Sequence, residues 1–255
     1  MSSEATADLT LIRPDWPAPA NIRVVCTTRA GGASQHPWAS LNLGDHVGDA
    51  PEHVLENRKR LANICGLPAD AFGWLNQVHG TEVAGLPARD ATTVPEADAS
   101  FTRAPNRGCT ILTADCLPVV LCDQNGTTVA AAHAGWRSLC GGVLENLVAR
   151  MALPGNTLMA WLGPAIGPHA FEVGPEVKAA FIARDPRAEA AFGSVGAREG
   201  YYMADIYRLA RQRLETLGVK NISGGDFCTV TDSQRFYSYR RDGQTGRMAT
   251  VIWKI

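Results

Sequence analysis

The order of apolar and polar residues along the chain predicts a mixture of strands and helices without a regular alternation. Apolar runs typical of buried strands occur at 22–29, 117–122, 127–133, 157–162 and 248–253. Apolar residues at helical spacing predict helices over about 138–152, 175–183 and 204–217. This order favours an α+β fold with much antiparallel pairing.

A further helix is predicted between Asp49 and Gly66. Asp49 and Glu52 have the spacing of a capping box, and Gly66 can adopt the left-handed backbone that often ends a helix. The apolar stripe predicted to face the core consists of Val54, Leu55, Leu61 and Ile64.

The segment 123–126 (DQNG) separates two apolar runs and is typical of a hairpin turn. If all four residues form the loop, Cys116 lies directly opposite His133. If only the last two form it, Cys116 lies opposite Gly135 and His133 is its diagonal neighbour. Because opposite residues and residues two apart share a sheet face, either register brings the Cys116 sulfur and the His133 imidazole together.

A cysteine beside a histidine has two chemical uses. A thiolate paired with imidazolium is an activated nucleophile, and thiolate and imidazole are also good zinc ligands. His79 lies in the short polar loop NQVHG at 76–80. If the fold brings His79 to Cys116 and His133, the three side chains leave the fourth zinc position open for water, as in catalytic sites.

Three other polar residues are candidates for substrate binding. Arg137 follows Gly135 at the predicted start of a helix, where a guanidinium and backbone N–H groups suit a phosphate or carboxylate, although a ligand-free surface arginine is an equally good interpretation. Arg29 precedes a Gly-Gly pair and has a similar potential. Asn42, in SLNLG, favours a turn over a substrate contact. The aromatic residues predicted to be core rather than substrate platform are Phe236, Tyr237 and Tyr239.

Composition adds constraints on class and location. The chain has 255 residues, 45% hydrophobic and 19% charged, which predicts one globular domain over 1–255 with a flexible segment over 1–20. A net charge of -1 gives no general attraction to nucleic acid or to an anionic membrane. No apolar run reaches the roughly 20 residues of a membrane helix, and no signal-peptide pattern is present, so a cytoplasmic location is predicted. Seven scattered cysteines without a CxxC pair favour reduced thiols.

Motifs in order along the chain carry a family resemblance. They are TTRAGGAS, NQVHG, TADCLPVVL, AAHAGWRSLCGGV, GPAIGPHAFEVG and DFCTVTDSQRFYSYRRDGQTGRMATVIW. Together they resemble the laccase-domain family, also called YfiH-like or multicopper polyphenol oxidase-like, over nearly the whole chain. The family's metal centre of two histidines and one cysteine corresponds to His79, Cys116 and His133, which the resemblance also implies are catalytic.

The resemblance implies a fold and an activity as well. The expected fold is a layered α/β structure, with largely antiparallel sheets flanked by helices, related to cysteine hydrolases such as cytotoxic necrotizing factor. The expected enzyme is a zinc-dependent purine nucleoside phosphorylase acting on adenosine, inosine and S-methyl-5′-thioadenosine, with adenosine deaminase activity. Its partners are then a purine nucleoside and phosphate, bound by Arg29, Asn42 or Arg137, and copper is the alternative metal.

Other functions remain open at this stage. One is an amidase that removes L-Ser from the cell-wall precursor UDP-MurNAc-L-Ser. Another is copper oxidation of phenols, although multicopper centres need many histidines and this chain has six, of which only two are expected near Cys116. A zinc-stabilised binding domain without catalysis is the fourth interpretation, and an open coordination position argues against it.

Overall fold

A computed structural model describes residues 9–87, 93–193, 196 and 198–255. The strands are β1 Leu11–Ile12, β2 Ile22–Thr27, β3 Phe72–Gly73, β4 Val83–Leu86, β5 Ala99–Thr102, β6 Gly108–Thr113, β7 Leu117–Asp123, β8 Val129–Ala134, β9 Leu158–Leu162, β10 Glu172–Val173, β11 Phe192–Gly193, β12 Tyr202–Ala204, β13 Asn221–Gly224 and β14 Met248–Lys254. The α-helices are α1 Pro51–Cys65, α2 Trp136–Gly141, α3 Val143–Met151, α4 Pro175–Arg184, α5 Ile206–Thr216 and α6 Tyr239–Asp242. Short 3₁₀ turns occupy Ala69–Ala71, Gly155–Thr157 and Pro186–Ala191.

Two large sheets form the centre of the fold. The five-stranded sheet has the order β1-β2-β14-β6-β3, and the six-stranded sheet has the order β13-β9-β7-β8-β5-β4. Pairing is antiparallel except for β3 with β6, β4 with β5 and β13 with β9. A small antiparallel sheet, β10-β12-β11, lies beside them. The prediction of an α+β fold with largely antiparallel sheets is therefore confirmed.

The apolar core is divided among the layers that these sheets create. One cluster lies between the two large sheets and includes Ile111 from β6 and Val120 from β7. A second cluster packs the outer face of the five-stranded sheet against α1. The largest cluster packs the other face of the six-stranded sheet against α2 to α5. Alternate residues of β7 therefore face different clusters, with Val119 towards the helices, as the two-residue period of a strand requires.

The hairpin of β7 and β8 adopts the second of the two predicted registers. Pro118 pairs with His133 and Cys122 with Val129, so the register that placed Cys116 directly opposite His133 is wrong. The Asp123 carboxylate accepts the N–H groups of Thr127 and Thr128 at 2.8 and 2.6 Å, which fixes the turn in this register. The turn spans Asp123 to Gly126, with the Gly126 N–H donating to the Asp123 carbonyl at 2.9 Å, and Gly126 takes the left-handed conformation, with φ 64°, that glycine readily adopts.

The start of α1 differs from the predicted capping box. Ala50 is the N-cap and makes no side-chain capping bond, so the capping-box prediction is wrong. The Asp49 carboxylate instead accepts hydrogen bonds from Ser34 Oγ at 2.6 Å and Asn42 Nδ2 at 2.8 Å. The predicted end is confirmed, because Gly66 is left-handed with φ 65°.

The buried face of α1 also differs from the predicted stripe. Val54 and Leu61 are buried, but Leu55 and Ile64 are 56% and 40% exposed. The core face continues through Asn57 instead, which is fully buried and donates to Ser34 Oγ and to the Asn42 carbonyl. An apolar pattern alone could not reveal a buried face that includes an asparagine.

Two further sequence predictions need comment. The helix predicted over 138–152 is two helices, because the chain turns at Gly142 with φ 108°. Of the segment 1–20 predicted to be flexible, residues 1–8 lie outside the described residues, and β1 within it pairs with β2. The division into one domain over 1–255 stays a prediction. Among the described residues, no helix combines the length and the apolar composition that crossing a bilayer requires.

Candidate metal centre

Cys116 lies where the chain passes from one large sheet to the other, between β6 and β7. The preceding residue, Asp115, has φ 89°, a left-handed conformation that is uncommon outside glycine. Its buried carboxylate accepts hydrogen bonds from Thr229 Oγ1 at 2.6 Å, Ser238 Oγ at 3.0 Å and the Arg240 N–H at 2.7 Å. These bonds tie the C-terminal part of the chain to the turn that presents the Cys116 thiol.

His133 lies near the end of β8 and is held at its ring and its backbone by Asp98. The distance between His133 Nδ1 and Asp98 Oδ1 is 2.8 Å, and the His133 N–H donates to the Asp98 carbonyl at 2.7 Å. Because an ionised carboxylate only accepts, this bond places the proton on Nδ1 and leaves the Nε2 lone pair for the Cys116 side.

His79 lies in the loop between β3 and β4, with φ 60°. The Asp98 carboxylate accepts the three consecutive N–H groups of Val78, His79 and Gly80 at 3.2, 3.0 and 2.6 Å. A single buried carboxylate therefore holds the loop of one histidine and the ring of the other. Sequence reasoning missed Asp98; its only signal is an acidic residue between two alanines at the start of an apolar strand.

The three side chains meet at one point. The candidate ligand atoms of His79, Cys116 and His133 all lie within 4.8 Å of one another, and Cys116 Sγ is 3.9 Å from His79 Nε2. The two histidine rings are 4.8 Å apart at an interplanar angle of 72°. Gly135 allows this approach, because a Cβ there would lie 2.9 Å from Cys116 Sγ. The cluster agrees with the diagonal arrangement that the hairpin predicts.

The cluster fits a tetrahedral zinc ion with one open position. Zinc bonds of about 2.0 to 2.3 Å imply ligand atoms roughly 3.3 to 3.6 Å apart, so only a small inward shift is required. Two imidazoles and one thiolate are the ligand set of some catalytic zinc sites, and Asp98 supplies the outer hydrogen bond that such histidines usually make.

The electrostatics of the cluster favour an ionised Cys116. Burial on its own raises the pKa of the thiol, but the charge and hydrogen bonds of His133 and His79 outweigh it and lower the pKa to about 6. Burial on its own lowers the pKa of His133, but the Cys116 thiolate and the Asp98 carboxylate raise it to about 9. Between these values Cys116 is a thiolate beside an imidazolium, a form suited to nucleophilic attack, whereas metal binding requires His133 to lose the proton on Nε2.

Two cavities adjoin at Cys116 and share Cys116, His79, Ala114 and Tyr239 in their linings. The first, called here the Trp136 lobe, has a volume of about 310 Å³; its other lining residues are Asp115, Trp136, Arg137, Ile166, Phe171, Ile206 and Arg240. The second, called here the Arg247 lobe, has a volume of about 300 Å³; its other lining residues are His46, Gln77, Leu112, Thr113, His133 and Arg247. The Trp136 lobe contains more large aromatic and aliphatic side chains, together with Arg137 and Arg240, and the Arg247 lobe contains Gln77, Thr113 and Arg247.

The predicted substrate residues lie at different distances from this centre. Arg137 is exposed, stacks over Trp136 at 4.4 Å and lines the Trp136 lobe. Arg29 lines neither lobe and donates to the carbonyls of Ala39 and Ser233 at 3.2 and 3.1 Å. Asn42 is buried, and the bond from the Gly44 N–H to its Oδ1 at 3.0 Å confirms the turn interpretation. Roles of these residues in substrate binding stay predictions.

The aromatic set near the C-terminus divides between core and cavity. Phe236 and Tyr237 are fully buried, as predicted. Tyr239 is 63% exposed and lines both lobes, so its assignment to the core is wrong. The reason is that Tyr239 begins α6, a short helix on the cavity rim, whereas Phe236 and Tyr237 pack against Met248.

The fold and the site together define an α+β protein with a candidate His–Cys–His metal site where the chain passes between the two large sheets. Comparison with known families identifies the class. Residues 23–255 match the model of the family described as multi-copper polyphenol oxidoreductase laccase, and the chain belongs to that family. The predicted resemblance is therefore confirmed.

Similar proteins align with this chain along almost their full length. The chain is 54% identical to the purine nucleoside phosphorylase YfiH of Escherichia coli (strain K12), covering 96% of this chain and 99% of that one. It is 39% identical to a purine nucleoside phosphorylase of Corynebacterium glutamicum, covering 91% and 94%. A crystal structure of a Neisseria meningitidis protein, 50% identical, matches with a TM-score of 0.90 over 96% of this chain and 98% of that chain.

Proposed function

We propose that this chain is a purine nucleoside phosphorylase that cleaves adenosine, inosine and S-methyl-5′-thioadenosine with phosphate and also deaminates adenosine. The observation that carries the proposal is the pair of lobes that meet at Cys116, one with Trp136 and Phe171 in its lining and the other with Arg247. A nucleoside and an anion need two such surfaces on either side of the reacting bond. The names of the similar proteins support the phosphorylase part of this activity.

The Trp136 lobe suits the purine base. Trp136 and Phe171 offer aromatic faces, while Ile166 and Ile206 are buried and complete an apolar wall. Flat heterocycles gain affinity from stacking on aromatic rings and from leaving water. Arg137, stacked on Trp136, stands at the rim with its guanidinium available to polar groups of the substrate.

The centre itself would hold zinc through His79, Cys116 and His133. When bound, the ion would supply Lewis acidity and a water of pKa near 7, the nucleophile that deamination of adenosine requires. Asp98 orients the two histidines, and the buried position of His133 excludes water from one side of the site.

The direct test is incubation of zinc-loaded protein with adenosine and phosphate, followed by chromatography. We expect adenine with ribose 1-phosphate from phosphorolysis, and inosine from deamination. Omitting phosphate should stop adenine formation but leave inosine formation intact, because deamination consumes only water. Absence of all these products from metal-loaded protein would refute the proposal.

A second candidate, the amidase that removes L-Ser from UDP-MurNAc-L-Ser, is favoured by one observation. Cys116, His133 and Asp98 form a line of nucleophile, base and orienting carboxylate, the arrangement used in covalent catalysis. In this reaction Cys116 Sγ attacks the amide carbonyl, the C–N bond breaks, and His133 gives its proton to the leaving amine. Water then hydrolyses the thioester.

The amidase candidate predicts a pH profile for metal-stripped protein. The thiolate exists above the Cys116 pKa of about 6, and the imidazolium exists below the His133 pKa of about 9. Because the step needs both, release of L-Ser should rise through about pH 6 and fall through about pH 9. No release, a flat profile, or equal rates with L-Ser and L-Ala would speak against this candidate; Cys116→Ser is the control for background hydrolysis.

A further inference from the structure

The Arg247 lobe contains a half-buried cation without a carboxylate partner among the described residues. Arg247 donates from Nη1 to the carbonyls of Thr245 and Gly246 at 2.9 and 3.1 Å. Among the ion pairs of the described residues none includes Arg247. Burial lowers the pKa of its guanidinium, an effect that nearby negative groups only partly offset. An arginine held in this way has donors left for an anion.

Two buried hydroxyl groups in the same region also lack partners. Thr113 Oγ1 lies in the lining of the Arg247 lobe, and Thr113 is 2% exposed. Thr245 Oγ1 lies in the lining of an adjoining cavity that shares His46, Tyr239 and Arg247 with the lobe. Neither hydroxyl has a hydrogen-bond partner among the described residues. Buried hydroxyl groups are normally satisfied, so these two are polar groups beside Arg247 that the described residues leave unpaired.

The acidic groups near Arg247 do not neutralise this region. Of the negative groups that raise the pKa of Arg247, the Cys116 thiolate comes first and belongs to the candidate metal cluster. The Asp115 carboxylate comes next, and it already accepts hydrogen bonds from Thr229, Ser238 and the Arg240 N–H. Asp45 is 64% exposed at its side chain and pairs with Arg58 at 3.1 Å. A small oxyanion is therefore the ligand that best complements the guanidinium and the two hydroxyl groups.

We propose that the Arg247 lobe is the subsite for inorganic phosphate, with Arg247 as its principal ligand. This inference rests on the proposed phosphorylase function. The purine base occupies the Trp136 lobe, so the ribose lies across Cys116 and His79, which both lobes share. Phosphate then approaches the ribose from the Arg247 lobe.

With phosphate in the Arg247 lobe, phosphorolysis is a displacement at C1′ of the ribose. A phosphate oxygen forms the new bond to C1′ while the bond from C1′ to N9 breaks and its electron pair leaves with the purine. The proton that hydrogen phosphate loses on forming the ester passes through water to the purine, giving free base and ribose 1-phosphate. Arg247 stabilises phosphate in its place and does not exchange a proton.

Asn42 gains a role from the same arrangement. Its Oδ1 accepts the Arg247 N–H at 2.9 Å, and its Nδ2 is held by Asp49 at 2.8 Å. Asn42 is therefore a positioning residue for the subsite, acting through the backbone of Arg247.

The test uses steady-state kinetics of zinc-loaded Arg247→Gln, Arg247→Lys and wild-type protein with adenosine and phosphate. Loss of charge-assisted hydrogen bonds should raise the KM for phosphate about 10- to 100-fold in Arg247→Gln, with the KM for adenosine nearly unchanged. Arg247→Lys keeps the positive charge but lacks the planar set of N–H donors of a guanidinium. It should therefore raise the KM for phosphate less than Arg247→Gln does. Arg208→Gln, an exposed change on α5, controls for loss of positive charge.

Calorimetric titration distinguishes binding of inorganic phosphate from binding of a nucleotide's phosphate group. It also distinguishes failure of the subsite proposal from failure of the proposed function. Inorganic phosphate should bind to wild type and not to a folded Arg247→Gln; if adenosine 5′-monophosphate binds through Arg247 while inorganic phosphate does not, the subsite proposal is overturned. An unchanged KM for phosphate in both variants also overturns it and leaves the phosphorylase function standing. Wild type that binds phosphate through Arg247 but turns over no nucleoside would instead refute the proposed function. If Arg247→Gln does not fold, Arg247→Lys carries the same comparison.

Discussion

Replacing Cys116 with alanine should abolish turnover of adenosine and remove the bound metal in the same step. Among the described residues, the Cys116 thiolate is one of three side chains grouped closely enough to ligate an ion at this centre, and its position depends on the turn held by Asp115. Losing a residue in the shell around a metal costs about 10- to 100-fold in metal affinity or activity. Loss of a direct ligand should exceed that range, so we expect activity to fall more than about 100-fold.

The matched control for this variant is Cys65→Ser. Cys65 is also partly exposed but lies at the end of α1, on the far side of the five-stranded sheet. It should keep wild-type activity and metal content. Metal content and activity would be measured on the same preparations, with circular dichroism to confirm folding. A Cys116→Ala protein that retains either activity or stoichiometric metal would contradict the assignment.

Asp98→Asn should weaken metal binding and lower thermal stability together. The carboxylate accepts four hydrogen bonds, from the ring of His133 and from three consecutive N–H groups around His79. An amide has one acceptor oxygen and presents N–H donors to groups that also donate. Metal affinity should therefore fall by about 10- to 100-fold, and removing one partner of this buried pair should cost about 3 to 5 kcal/mol of unfolding free energy.

Asp123→Asn is the matched control that separates loss of metal affinity from loss of thermal stability in Asp98→Asn. Asp123 is also buried and also accepts consecutive backbone N–H groups, but it lies at the other end of β7, in the hairpin turn. It should lower the melting temperature without changing metal affinity measured by competition with a chelator. If both variants lose metal equally, or if Asp98→Asn loses stability alone, Asp98 does not position the ligands.

Local sequence patterns were sufficient for part of the centre. The Asn-Gly pair fixes the hairpin, and the hairpin brings Cys116 near His133 through pairing between neighbouring strands. His79 could be added only through the family resemblance. It reaches the cluster because Asp98, about twenty residues later, holds its loop, and no local pattern encodes a hydrogen bond across that separation.

The remaining differences have similar physical causes. The buried face of α1 includes Asn57, whose amide is satisfied by loop groups that a helical pattern cannot foresee. Arg247 enters the site through a backbone bond to Asn42, a residue more than two hundred positions earlier in the chain. Gly142 divides a helix that the apolar pattern predicts as continuous, because its left-handed backbone conformation changes the direction of the chain. Long-range contacts decide each of these features.

Metal analysis of protein purified without added metal tests the central claim most directly. The claim is that His79, Cys116 and His133 hold a zinc ion on which the proposed activity depends. The account predicts about one zinc per wild-type chain, little copper, and almost no metal in Cys116→Ala. Wild-type protein with more copper than zinc would contradict the zinc assignment and favour phenol oxidation, and active protein without any metal would contradict the metal centre itself.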